Sequence, residues 1–507
     1  MVSLTSCTKT TDLRVTVAAQ NEVGCDDEAA AAFFRAISYQ YDGTRPVTQN
    51  HLGLGSHPLS SRSLDVQGFS HKKGADYDKF HIDNPTKPEL ATECCSCLSQ
   101  RGEDTDFCPD PRPSGCKDGC YEKGLNNIKQ PRCLTCRQDC ASGKNNYTHT
   151  SGSFYNNEIS QCTASQVNRS DSREFVAGTF IWSGYDYLGE SRGFPQTVKC
   201  RGTVADVAGF IKESYYWLRS WWFSKIPDDD HGKPALLVTN PHTVFIVEAW
   251  RMGKKADGGD IGPNRTVHVY SSTPKLRVEV NGEQVGPTIA DMPAFGNVKI
   301  SIPYRAGNLT AVGLDASGIH VLATHTKLTT GKAVRLRLSL DAPSVLTGTG
   351  SSLVADGQDT AMVRAELLDA NGVLADQSSD VISFSVVSGD GRLSGTHSGD
   401  AATNEPAHGT SKRAFHGLVR AFVRSSSDHA TPLAHRERML SIDLDGGSLT
   451  TVSGRVEPIR SLAPIVVMAS VAGLASATLE IALSTDLGQL PLAVAARAEA
   501  NSMLGMF

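Results

Sequence analysis

The sequence predicts an α/β region of the (β/α)8-barrel kind followed by two immunoglobulin-like β-sandwich domains. Two observations carry this. Up to about residue 235, short apolar β-branched runs alternate with helix-like stretches, the pattern of a parallel sheet with crossover helices. Beyond it, short alternating runs are broken by turn signals such as Asn281-Gly282 and Ser317-Gly318, the pattern of a sandwich. A second set of such runs begins near Ala333, and "PIVVMASVAGLASATLEIAL" (Pro464 to Leu483) is placed to close it. The chain therefore divides into 1–235, 236–330 and 331–485, with a polar insertion at about 428–462 and an Ala-rich tail at 486–507.

The elements of the first region follow in order. "RVTVAAQNEVGCDDEAAAAFFRA" (Arg14 to Ala36) is a strand ending in Asn21-Glu22, a turn, and a helix rich in Ala. "TRPVTQNHL" (Thr44 to Leu52) and "LDVQGFSH" (Leu64 to His71) are strand-like. "YDKFHIDNPTKPELATECC" reads as a helix, a turn and a strand ending at Glu93. A further strand covers Phe175 to Trp182.

Composition narrows the classes of function. The chain has 507 residues, 39% hydrophobic and 20% charged, enough for three or four folded domains. A net charge of −5 with no basic block argues against nucleic acid as the main partner. No run approaches the ~20 apolar residues of a membrane span, and the first residues lack the apolar core of a signal peptide. Ten of the 13 cysteines lie between Cys94 and Cys162, and sequons occur at Asn146, Asn168, Asn264 and Asn308. This combination favours a secreted protein with disulfides and glycans. The competing reading is a zinc module built on "CLTCRQDC", but no second CxxC follows at finger spacing.

Glu22 and Glu93 each end a strand, and in a (β/α)8 barrel strand ends face the active site. Two carboxyl groups flanking a scissile bond are the requirement of glycoside hydrolysis, ~5–5.5 Å apart in the retaining mechanism. Trp182, ending a further strand, offers a flat floor for a sugar ring. The plainer alternatives are an acid at a helix start for Glu22 and a core aromatic for Trp182.

At this point the sequence resembles a known family. "QNEVGC", "GTRPVTQNHLG", "LDVQGFSHK", "KPELATECCSCLSQRGED" and "FVAGTFIWSGYDYLGE" look like the later barrel strands of glycoside hydrolase family 2. The likeness continues into "HVYSSTPKLRVEVNGEQVG" and "SLVADGQDTAMVRAELLDANGVL". The resemblance implies a partial (β/α)8 TIM barrel and a retaining hydrolase of the β-galactosidase type. It gives Glu22 as acid/base, Glu93 as nucleophile, and Asn21 on the sugar 2-hydroxyl. Trp182 ends the last strand. His71 stands where many members have Tyr, placed to hydrogen-bond Glu93. The chemistry needs no metal or cofactor, and the partner is a carbohydrate substrate. Family members carry a jelly roll, a sandwich and three barrel strands ahead of the Asn-Glu pair, while only twenty residues precede Asn21 here. Half a barrel leaves open sheet edges, so this chain is expected to hydrolyse aryl β-galactosides poorly by itself and to associate into homo-oligomers. The alternative function is a non-catalytic carbohydrate-binding or structural remnant of such an enzyme.

Overall fold

The computed structural model describes residues 16–17, 28–51, 58–70, 72–94, 101–102, 121–123, 129–131, 167–188, 199–200, 204–224, 240, 242–252, 263–293, 296–345, 347–400, 403, 405–426 and 462–484. They are mostly β, with few helices. Two compact units separate: Met1–Thr329 with Gly399–Asn404, and Thr330–Ser398 with Glu405–Phe507.

The first unit opens with parallel strands laid side by side in chain order. They are β1 (Thr16–Val17), β2 (Val47–Thr48), β3 (Gln67–Ser70), β4 (Glu89–Cys94) and β5 (Val176–Ile181). β1 pairs with β2, β3 with β4, and β4 with β5, all in parallel. A parallel bridge from His51 to Phe69 continues the ladder between β2 and β3. The described residues do not close this sheet into a barrel.

Helix α1 (Glu28–Tyr41) follows β1. Its Ala-rich sequence favours the helix, and Glu28 in the first turn suits the helix dipole. It stops where the side chain of Asp42 accepts the backbone N–H and hydroxyl of Thr44, forming a turn. Arg35 and Tyr39, one turn apart, both reach Asp65, at 2.7 Å each. Burial works against the charge on Asp65, but the Arg35 guanidinium, the Val47 N–H and the Tyr39 hydroxyl hold its carboxyl below the usual value. One side chain thus docks the helix onto the start of β2.

Helix α2 (Gly74–Asp83) links β3 to β4 and buries Tyr77 and Phe80. Both rings meet Phe69 edge-on, with centroids 5.2 and 5.5 Å away, in a cluster with Ala91 and Val176. Beneath this cluster lies Glu89, fully buried at the start of β4. Neither of its oxygens has a hydrogen-bond partner, and His81 Nδ1 is 4.0 Å away. The His81 ring stacks on Phe175 at 3.9 Å. Burial first, then the charge of Asp78, pushes the Glu89 carboxyl up to about 8.

Helix α3 (Glu213–Phe223) ends the α/β part, packing Trp217 and Leu218 against Phe245 and Tyr270. Two antiparallel sheets follow. One holds Val244–Ile246, Asn264–Ser271 and Asn297–Pro303; the other holds Glu283–Gln284, Lys275–Val280, Asn308–Leu314 and Val321–Leu328. Alternation along Lys275–Val280 turns Leu276, Val278 and Val280 inward against Val267, Val269 and Ile302. Asn281 and Gly282 both take positive φ in the hairpin turn, as expected of an Asn-Gly pair.

The second unit pairs two four-stranded antiparallel sheets. The first is Arg335–Ala342, Thr360–Leu368, Leu418–Ser425 and Gly391–His397. The second is Ser411–Arg413, Val381–Ser388, Ile465–Ser470 and Ala477–Ile481. Their facing residues, Val363, Ala365, Val419, Ala421, Phe384 and Val467 among them, form one core. The insertion expected at about 428–462 and the tail at 486–507 lie outside the described residues, save for Leu462.

Candidate functional site

Parallel strands present their C-terminal ends on one edge of the sheet, where loops gather polar side chains. Glu93 and Trp182 arrive there on adjacent strands, and the Trp182 N–H donates to Cys94 O at 3.0 Å. Trp182 is half-buried and meets Tyr187 edge-on at 5.8 Å. Its peptide bond to Ser183 is cis.

A bulge aims Glu93. Phe69 pairs with Ala91 and the next residue, Ser70, pairs with Glu93. On the other side, Ala91 and Cys94 pair with Thr179 and Ile181. From Ala91 onward β4 therefore carries one extra residue against both neighbours, a device that redirects side chains beside functional sites. Ala91 stays in the apolar layer under α2, while Thr92 and Glu93 both reach Asn50 from the end of β2. The Thr92 hydroxyl donates to Asn50 Oδ1 at 2.8 Å, and Asn50 Nδ2 donates to Glu93 Oε2 at 3.0 Å. Next to Asn50, His51 Nε2 lies 2.9 Å from Gln49 Nε2 and 3.1 Å from Ser60 Oγ. Gln49, Asn50, His51, Ser70 and Glu93 are all buried, so this strand-end cluster is polar yet shielded.

Gly68 lets the three strands close up. A Cβ there would sit 2.1 Å from the Gln49 carbonyl oxygen and 2.6 Å from Thr92 Cγ2. Gly68→Ala is expected to destabilise the first unit by about 1–3 kcal/mol through overpacking. Urea unfolding followed by tryptophan fluorescence, which reads the first unit, is expected to show this loss.

The loops leaving β4 and β5 are both fastened to the start of α3 and the segment before it. Arg101 Nε lies 2.8 Å from Asp206 Oδ2, its guanidinium over the Phe210 ring. Asp206 also accepts the N–H groups of Ala208 and Phe210 at 2.9 Å. The Gly102 N–H donates to Glu213 Oε1 at 3.2 Å. Past Trp182, the buried Asp186 pairs with the buried Lys212. Breaking a buried pair leaves an uncompensated charge, so these anchors hold the strand-end face in one arrangement.

Of the residues singled out from sequence, Glu93 and Trp182 come together here. Asn21, Glu22 and His71 lie outside the described residues. So do the clustered cysteines other than Cys94, which is disulfide-bonded. Among the described residues no group of three His, Cys, Asp or Glu is placed to hold a metal ion. The sequence reading passed over Asn50, although "VTQNHLG" ends a strand in polar residues, the same signal that marked Glu93.

The mostly β fold with few helices matches that of solved glycoside hydrolase family 2 proteins. Residues 345–432 match the family model for glycoside hydrolase family 2 C-terminal domain 5. Over 391 residues the chain is 25% identical to the β-galactosidase BoGH2A of Bacteroides ovatus, an alignment covering 76% of this chain and 39% of that protein. It is 23% identical over 206 residues to a β-glucuronidase of Formosa agariphila, covering 40% of this chain and 18% of that one. A β-glycosidase from Bacteroides vulgatus shares the fold with a TM-score of 0.61 at 19% identity, over 91% of this chain and 50% of that one. The chain thus resembles glycoside hydrolase family 2 glycosidases while spanning half or less of the length of these relatives.

Proposed function

We propose that this chain carries the two catalytic carboxylates of a retaining β-glycoside hydrolase site, of the β-galactosidase type, with sandwich domains attached. The observation that supports this is the placement of Glu93. It is a buried carboxylate at a parallel strand end, bonded by Asn50 and one strand away from Trp182. In this reading the sequential parallel strands are the later part of a (β/α)8 barrel, and the two sandwiches are immunoglobulin-like. Glu93 attacks the anomeric carbon and forms a glycosyl ester as the aglycone leaves. Glu22 gives its proton to the leaving oxygen, then takes one from the water that hydrolyses the ester. Trp182 lies against the sugar ring, and Asn21 and His71 complete the contacts.

The test is covalent capture. A dinitrophenyl 2-deoxy-2-fluoro-β-galactoside has a good leaving group but a slow second step, so the ester accumulates. The expected result is one added sugar per chain, located by peptide mass spectrometry on Glu93. No adduct, or an adduct on another residue, overturns the reading. Running the β-glucuronide analogue alongside tests the sugar, and the β-galactoside is expected to react faster.

A further inference from the structure

Resting on that reading of Glu93, we propose that Asn50 is the positioning residue for the nucleophile, with Thr92 anchoring the far end of its carboxamide. A carboxamide has a donor end and an acceptor end of nearly equal size, and its value to a carboxylate depends on which end faces it. Here the choice is made by Glu93 itself, since a carboxylate only accepts and a hydroxyl can take either end. The amide nitrogen is turned to Glu93, 3.0 Å from Oε2, and the Thr92 hydroxyl donates to Asn50 Oδ1 at 2.8 Å, holding the other end of the carboxamide in place. The opposite orientation would set the amide oxygen against the carboxylate and the amide nitrogen against the hydroxyl.

The geometry has a purpose beyond packing. Asn50 comes from the end of β2, while Thr92 and Glu93 are consecutive on β4, with β3 lying between the two strands. The extra residue in β4 is what brings Thr92 and Glu93 to the same amide. Gly68 on β3 leaves the space through which they meet, since a Cβ there would collide with Thr92. A carboxylate that must attack in line gains from one fixed plane and loses from free rotation. A donor on Oε2 supplies that plane.

The experiment uses the full chain and measures two quantities: the rate of covalent capture on Glu93 by the fluorinated galactoside, and the affinity for a non-reacting thio-β-galactoside by calorimetry. Asn50→Asp keeps the shape and the acceptor for Thr92 but turns a second carboxylate toward Glu93. It is expected to slow capture by about 100-fold or more. Thr92→Val keeps the shape and removes the hydroxyl, and is expected to slow capture about tenfold. Thr92→Ser restores the hydroxyl and should return the rate to within about threefold of the original chain. Thioglycoside affinity should change less than about threefold throughout, because the positioning acts on attack rather than on binding. Equal rates for Thr92→Val and Thr92→Ser, or an unslowed Asn50→Asp, overturn the inference while the adduct on Glu93 stands. A fall in affinity matching the fall in rate assigns Asn50 to substrate binding and also overturns it. Absence of an adduct on Glu93 in the original chain removes the reading itself and the inference with it.

Discussion

Glu93→Gln should eliminate covalent capture and lower any aryl β-galactosidase activity of the chain by at least about a thousand-fold, the scale of loss when a covalent nucleophile is removed. Gln is close to isosteric with Glu and still offers an oxygen to Asn50 Nδ2, so the strand-end cluster should keep its form. What disappears is the nucleophilic oxygen. A second variant separates lost chemistry from lost structure. Glu93→Gly opens a space where the carboxylate stood, and a small anion such as azide can enter it. Azide should then restore release of an activated aryl galactoside, with the α-galactosyl azide as product, because it attacks from the side the carboxylate occupied. Retained hydrolysis in Glu93→Gln, or an azide-insensitive Glu93→Gly that binds thiogalactoside normally, would remove Glu93 from the role given to it.

The second large effect is on stability and arises at the opposite end of the same strand. Glu89 is fully buried, without a hydrogen-bond partner, and its carboxyl is raised from 4.5 to about 8. The groups facing it are His81, Tyr77 and Asp78 from α2 and Arg173 from the approach to β5. A group whose pKa is raised by folding contributes fully below its unfolded value and loses that contribution as pH rises through the folded value. The first unit should therefore weaken steadily between about pH 4.5 and pH 8 and level off above. The whole window amounts to something on the order of 4 kcal/mol. Glu89→Gln cannot ionise, so it should match the original chain near pH 4.5 and exceed it in stability at pH 8.5. All five tryptophans lie within Met1–Thr329, so urea unfolding followed by their fluorescence reads this unit alone. Parallel stability curves for the two proteins would show that Glu89 finds compensation when it ionises.

Why Glu93 was legible and Glu89 was not is a matter of which end of a strand is read. An apolar β-run that stops at a carboxylate marks a strand end, and Glu93 carries that mark. Glu89 looks from sequence like an ordinary acid opening a strand after a Pro. Its burial is decided by α2 lying over it, a tertiary fact. Asn50 was missed for a similar reason. Its meeting with Glu93 depends on register between strands more than forty residues apart and on the bulge after Ala91, neither of which periodicity reports. Helix α1 was legible from its alanines, and the hairpin at Asn281-Gly282 from its turn chemistry. The pairing of Ile465–Ser470 with Val381–Ser388 is legible as two strands but not as neighbours, since only the closed core selects the partner.

The fastening at Arg101 also bears on how this protein tolerates its long cysteine-rich segment. Cys94, where that segment leaves the sheet, and Val167, just past its last cysteine, are buried in one small cluster with Ile181 and Trp221. Arg101 and Gly102 tie the outgoing chain to Asp206 and Glu213. The intervening stretch of about 70 residues, in which Tyr121–Lys123 and Lys129–Pro131 pair antiparallel, thus leaves and rejoins the fold at points already held together. The entropy of closing a flexible loop grows only with the logarithm of its length, about 0.6 kcal/mol per doubling. In evolutionary terms the site is a docking port: segments of very different size can be spliced in between Gly102 and Val167 at nearly constant cost to the sheet that holds Glu93.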